Sequence, residues 1–212
     1  MIVTDLTQEI SAQTKVFPSD PQPHFIRWSK FEIQGYDSEI MVLSTHTGTH
    51  MDAPSHFIKN GKTVDKIQIE RFVSKAILFK VPKNSNETIN VTDIDDEQQF
   101  IEKDDVVIFS TGWEKMNKNE QYLSNPGLSE EVAKLLVVKG VNIVCIDGPS
   151  IDTSTNSEFI VHKILLSNDI LIIENLCNLV TFGHCSRFEF ISAPLKIKDG
   201  SGSTIRAIAI RK

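Results

Sequence analysis

Two rhythms of apolar residues divide the chain. Across residues 24–33 and 39–50, β-branched and aromatic residues recur without helical spacing, which predicts extended segments. Residues 75–81 predict another strand. From residue 105 the rhythm becomes an alternation of strand and helix. Residues 105–110 read as a short apolar strand. Ser129 is placed to cap a helix in which Val132, Leu135, Leu136 and the stem of Lys139 share a face, and Gly140 is placed to end it. A buried strand is expected at 141–146, then a second helix capped by Ser157 and reaching Leu166, then a strand at 169–173. Such a β-α-β-α-β succession predicts neighbouring strands covered by helices. Residues 188–210 return to strand composition. The expected fold class is α/β: a single domain over residues 1–212, with a mixed sheet, helices, and a β-rich N-terminal part.

Composition narrows the functional classes. The chain has 212 residues, 40% hydrophobic and 24% charged, which suits a globular domain able to bury a core without staples. A net charge of -6, with no clustered Lys and Arg, argues against nucleic acid and against an anionic membrane surface. No apolar run approaches the ~20 residues of a membrane-spanning helix, and Met1 to Asp5 lack the basic head and apolar centre of a signal peptide. Cys145, Cys177 and Cys185 form an odd, scattered set rather than a disulfide framework, so a reducing, cytoplasmic location is expected. The most polar stretches, 83–90 and 114–125, read as surface loops rather than linkers, and no repeat is present.

Chemistry concentrates between Ser44 and Phe57, where half of the six histidines fall within eleven positions, 46 to 56. A helix would bring His46 and His50 to one face but turn Asp52 roughly 200° away from His50, at about 100° per residue. Thr45, Thr47, Gly48, Thr49 and Pro54 also oppose a helix. In an extended chain, positions 46, 48, 50 and 52 project to one side, so His46, His50 and Asp52 converge with no side chain at Gly48 between them. Two imidazoles and a carboxylate are a set that divalent Zn, Mn or Fe accepts with positions left open. A bound metal lowers the pKa of its water to about 7. His56, just past the turn at Pro54, is placed for acid/base work rather than as a further ligand.

The run His46-Thr47-Gly48-Thr49-His50-Met51-Asp52-Ala53-Pro54-Ser55-His56-Phe57 resembles the signature of the cyclase family of metal-dependent hydrolases, which includes bacterial kynurenine formamidase and isatin hydrolase. The likeness extends in order through Thr111-Gly112-Trp113, Asp147 to Asp152, Glu174-Asn175-Leu176, Ala193-Pro194-Leu195 and Arg206-Ala207. It implies a swivelling β/β/α type of fold and a homodimer. It also implies one metal on His46, His50 and Asp52, and in the formamidase branch a second on His162 and Glu174 with Asp52 bridging. His162 lies on the expected inner face of its helix with Phe159, Leu165 and Leu166, and Glu174 ends an apolar strand, which is compatible with that role.

The activity so implied is hydrolysis of N-formyl-L-kynurenine to kynurenine and formate. Hydroxide generated at one or two divalent ions, Zn or Mn, would attack, and His56 would carry the proton. The alternatives are opening of a cyclic amide such as isatin on one metal, or a non-catalytic module that binds a metal or ligand. Trp113 is a candidate for an aryl pocket or else a core residue. Ser150 and Asp152 are expected either to border the site or to form a turn. Phe17 to Asp20, with residues 24–28, are expected as a lid or subunit contact. Thr204 and Phe17 depart from the family's usual residues, Arg206 is expected to pair with either a substrate carboxylate or an acidic neighbour, and His184 beside Cys185 lacks the partners of a metal site.

Overall fold

A computed structural model of the chain describes residues 1–211. The N-terminal part forms β1 (Ile2–Asp5), β2 (His24–Ser29), the one-turn helix α1 (Phe31–Gln34), β3 (Ser38–Val42), β4 (His50–Asp52), β5 (Val73–Lys80) and β6 (Thr88–Ile89). The alternating part gives β7 (Val106–Ser110), β8 (Gly127–Leu128), α2 (Glu130–Lys139), β9 (Ile143–Ile146), α3 (Ile160–Ser167) and β10 (Leu171–Glu174). The tail supplies β11 (Ser186–Ile191), β12 (Gly202–Thr204) and β13 (Ile208–Arg211).

One mixed sheet orders nine strands as β1-β13-β11-β5-β7-β9-β10-β4-β12. Strands β5, β7, β9 and β10 run parallel, as the strand-helix alternation requires, while β4 is inserted antiparallel between β10 and β12. The parallel strands are buried on both faces, which is why they read as unbroken apolar runs. Alternation sends Leu78, Ile108 and Cys145 to one face and Phe79, Phe109 and Ile146 to the other. Helices α2 and α3 cover the second face through Val132, Leu136, Val161 and Leu165. The first face is closed by the curl of the sheet itself, which brings Phe188, Phe190 and Ala209 over the same core. The α/β class and mixed sheet agree with the sequence pattern.

Helix α2 is bounded as expected. Ser129 Oγ accepts from the Val132 amide at 3.2 Å, and Gly140 ends the helix at φ 67°. Helix α3 is not capped by Ser157. Its first turn begins after Phe159, and the free amides of Val161 and His162 donate to Asp152 at 3.0 Å each, so a carboxylate from the preceding loop does the capping.

The extended reading of residues 39–50 also divides. Strand β3 ends at Val42, and β2 and β3 pair with each other as a separate hairpin outside the main sheet. That hairpin exposes Trp28 (70%), Ile33 (75%) and Met41 (62%). No helix among the described residues is long and apolar enough to cross a membrane.

Candidate metal centre

Strand pairing assembles the centre. On β4, His50 lies opposite Glu174 of β10, and Asp52 lies opposite Gly202 of β12. Residues two apart on a strand share a face, so His50 and Asp52 point together and Glu174 joins them from the neighbouring strand. His50 Nε2 stands 3.4 Å from both Asp52 Oδ1 and Glu174 Oε2. His162, in the first turn of α3, brings Nε2 to 3.1 Å from Glu174 Oε1 and 3.5 Å from Asp52 Oδ2.

His46 arrives by another route than the sequence predicts. Only His50 to Asp52 are extended; residues 45–49 turn, with Gly48 at φ 64°. A positive φ favours glycine, so Gly48 serves the bend rather than clearing a flat strand. The bend swings His46 Nδ1 to 2.7 Å from Asp52 Oδ1. Gly202 makes room for it: a Cβ there would lie 2.5 Å from His46 Cε1 and 2.8 Å from the Met51 carbonyl. The other four expected ligands therefore gather around Asp52.

Surrounding groups orient the rings. His50 Nδ1 donates to the Gly48 carbonyl at 2.8 Å, and Asn175 Nδ2 donates to the same oxygen at 2.9 Å. Asn175 is itself held by the Tyr122 hydroxyl. His162 Nδ1 donates to Asp152 Oδ2 at 2.6 Å. In both cases Nε2 is the nitrogen turned toward the carboxylates. Asp152, Asn175 and Gly202 thus shape the centre; Asp152 and Asn175 fall within runs that carry the family likeness and Asp152 is expected to border the site or form a turn, but nothing short-range ties it to a histidine ten residues later, and Gly202 carries no signal.

The buried carboxylates favour positive charge in the centre. Burial alone lowers a histidine's pKa, but hydrogen bonds to Asp52 and Glu174 outweigh it and lift His50 to about 10. His162 is lifted well above its ordinary value despite burial, with Asp152 contributing first among the carboxylates. Burial opposes ionisation of Asp52 and Glu174, yet the histidines hold both below the ordinary carboxylate range. Asp52 Oδ2 is buried without a hydrogen-bond partner. Imidazole and carboxylate donors approach one another at 2.7 to 3.5 Å, and ligand atoms of His50, Asp52 and Glu174, and of His46, Asp52 and His56, lie within 4.8 Å of one another. The donor set fits a divalent cation.

His56 ends the short turn Pro54–His56 and stacks on His46, with ring centroids 3.9 Å apart and planes 24° from parallel. Its outer edge remains open to the cavity, but desolvation of the stacked side draws its pKa below the ordinary histidine value. The ring is therefore neutral at pH 7.

Above these groups lies a cavity of about 250 Å³, bordered by Phe17, Phe57 and Phe159 and by the loop carrying Lys15 and Asp20. Phe159 meets Phe57 at 5.3 Å and Phe17 at 6.0 Å between centroids. Ser150 also lines the cavity, and its Oγ accepts from the Asp152 amide at 3.2 Å. Trp113, a candidate for the aryl pocket, does not line it: the indole is buried and donates Nε1 to the Tyr122 carbonyl at 2.8 Å. Arg206 pairs with an acidic neighbour, Asp5, at 2.7 Å on the surface. His184 Nδ1 accepts from the Lys80 amide at 3.1 Å and its Nε2 lies 3.1 Å from Glu97, so Glu97 joins His184 and Cys185, a partner the sequence did not show.

Comparison with known proteins gives a consistent picture. The model of the family described as putative cyclase matches residues 4–153. A kynurenine formamidase of Bacillus thuringiensis subsp. konkukian (strain 97-27) is 30% identical over 208 residues, spanning 96% of this chain and 95% of the relative. Among solved structures, isatin hydrolase A from Labrenzia aggregata, bound to benzyl benzoate, superposes with a TM-score of 0.90 at 25% identity, covering 98% of this chain and 93% of that one. A predicted metal-dependent hydrolase from Bacillus stearothermophilus gives 0.82 at 26% identity, covering 98% and 97%.

Proposed function

The chain belongs to the putative cyclase family, and from that premise we propose that it is a metal-dependent hydrolase cleaving N-formyl-L-kynurenine to kynurenine and formate. The observation that carries this reading is the cluster of three histidines and two carboxylates, all buried except the half-buried His46, at the floor of a cavity with phenylalanine walls. His46, His50 and Asp52 would hold one divalent ion, and Asp52, His162 and Glu174 a second. Mixed imidazole and carboxylate donors favour Zn or Mn. Such an ion, when bound, supplies Lewis acidity that polarises a carbonyl and acidifies water.

The remaining chemistry falls to the chain's own groups. The phenylalanines receive the aryl ring, and the enclosing cavity limits competing water. His56, neutral at pH 7, accepts a proton from the attacking water and delivers it to the anilide nitrogen as the C–N bond breaks. Oxygen adds to the formyl carbon, nitrogen leaves protonated, and formate and arylamine result.

Opening of a cyclic amide is the second reading, supported by the likeness to isatin hydrolase A. A non-catalytic binding module leaves His56 without a role. Three unpaired cysteines suit a reducing cytoplasm. The apolar hairpin suits a homodimer, since a monomer rarely exposes so much contiguous apolar surface; Trp28→Glu should shift the protein toward monomer in sedimentation velocity.

The test is metal per chain by elemental analysis, coupled to formate release from N-formyl-L-kynurenine and from isatin-type amides. The expected result is bound Zn or Mn, activity removed by a chelator and restored by the ion, and preference for the formamide. No formate from the metal-replete protein overturns the reading.

A further inference from the structure

The cavity carries two charges that neither metal binding nor proton transfer uses. Lys15 and Asp20 both line it, from one loop held by the Asp20 amide donating to the Phe17 carbonyl at 2.8 Å. Among the described residues Lys15 has no ion-pair or hydrogen-bond partner. Among the described residues Asp20 accepts only from the Ser44 hydroxyl, at 3.2 Å, so most of its acceptor capacity is open. No ion pair joins the two, which leaves each available to a ligand. Lys15 is exposed at the mouth, and Asp20 is half-buried.

The remaining features of the cavity sort by chemistry. Its floor is the cluster around Asp52, suited to a polarised carbonyl, and its walls are the rings of Phe17, Phe57 and Phe159, suited to an arene. A ligand that used only those parts would be an uncharged aryl amide, and the cation and anion would serve nothing. An aryl formamide carrying an α-amino acid arm uses all of them: its carboxylate matches Lys15 and its ammonium matches Asp20. A cyclic amide such as isatin has neither charge.

We propose that Lys15 and Asp20 form a zwitterion clamp at the mouth of the cavity, Lys15 taking the substrate's α-carboxylate and Asp20 its α-ammonium, so that the site selects α-amino acids bearing an aryl formamide. This inference rests on the formamidase reading and adds to it the residues that choose among formamides. The clamp binds ground state and transition state alike, so it acts through KM more than through kcat.

The test compares kcat/KM on N-formyl-L-kynurenine with kcat/KM on N-(2-acetylphenyl)formamide, which keeps the aryl ketone and formamide but lacks the amino acid arm. The wild type should favour the zwitterion about tenfold or more. Lys15→Met should lower that ratio about 3–10-fold, the smaller end reflecting screening at an exposed site, and Asp20→Asn about tenfold. Both losses should appear chiefly in KM, and the wild-type ratio should fall with added salt. Bound metal per chain, measured alongside, reports an intact centre. A ratio that neither variant changes overturns the clamp, as does a wild type that prefers the uncharged amide; both leave the hydrolase standing. Failure of the metal-replete wild type on both amides overturns the formamidase reading and the clamp together.

Discussion

Replacing Asp152 with Ala isolates one support of the centre. The carboxylate accepts four hydrogen bonds: Asn156 Nδ2 at 2.7 Å and the Val161 amide at 3.0 Å on Oδ1, and the His162 amide at 3.0 Å and His162 Nδ1 at 2.6 Å on Oδ2. Alanine keeps none of these acceptors, so both the helix cap and the bond to the imidazole are lost. Loss of the helix cap costs about 1 kcal/mol. Loss of a buried, charge-assisted bond to the imidazole adds about 1.5–3 kcal/mol. The variant should therefore unfold about 2.5–4 kcal/mol more easily without metal.

The centre should respond more selectively. Without Asp152, nothing fixes His162 with its proton on Nδ1 and its lone pair on Nε2, and comparable outer partners of metal-bound histidines are worth about 10–100-fold in affinity. Calorimetric titration of the metal-free protein with Zn should show one ion bound as in the wild type and a second bound about 10–100-fold more weakly. A fall in stability with both affinities unchanged would refute the reasoning and reduce Asp152 to a helix cap.

Other expectations follow from the same geometry. His56→Ala should lower kcat by about 10²–10⁴ with bound metal unchanged, and lost metal would make His56 a ligand instead. Gly202→Ala places a methyl against the His46 ring and the Met51 carbonyl, so the ion expected on His46, His50 and Asp52 should bind more weakly by titration; wild-type affinity there would place His46 outside the ligand set. In the metal-free protein His50 is lifted to about 10, so its contribution to stability is complete below about pH 6.5 and lost as pH rises through about 10. Because a ligand histidine must be neutral, metal binding at pH 7 should expel a proton and tighten as pH rises. Titrations in buffers of different ionisation enthalpy measure that release, and pH-independent affinity with no proton released would contradict the charge balance described.

What could be read from the sequence was local. The caps of α2 at Ser129 and Gly140, and the apolar runs of β5, β7, β9 and β10, announce themselves within a few residues because propensity, period and burial agree there. The cluster from His46 to His56 was also legible, since its donors lie close in the chain. Its shape was not, because Gly48 is consistent with either a flat strand or a bend, and only packing against Ile10 and pairing with β12 decide. Asp152 displaced Ser157 as the cap of α3 because a loop returned its carboxylate to the helix start, a contact no periodicity encodes. Trp113 shows the converse: an aromatic residue after a strand end suits a pocket or a core equally well, and its hydrogen bond to the Tyr122 carbonyl makes it core.

The insertion of β4 between β10 and β12 bears on how the chain comes to be folded. His50 must meet Glu174 and Thr204, and the nearby Thr49 bonds to Asn175 across 126 positions, so the centre closes very large loops. Contacts this non-local form slowly, after much of the entropy of the chain has been surrendered. While a ribosome is still extending the chain, the segment from His46 to His56 emerges long before its partners and offers only an incomplete set of donors. A complete set of donors thus exists only once β10 has joined β4, so tight capture of metal is expected to follow that pairing.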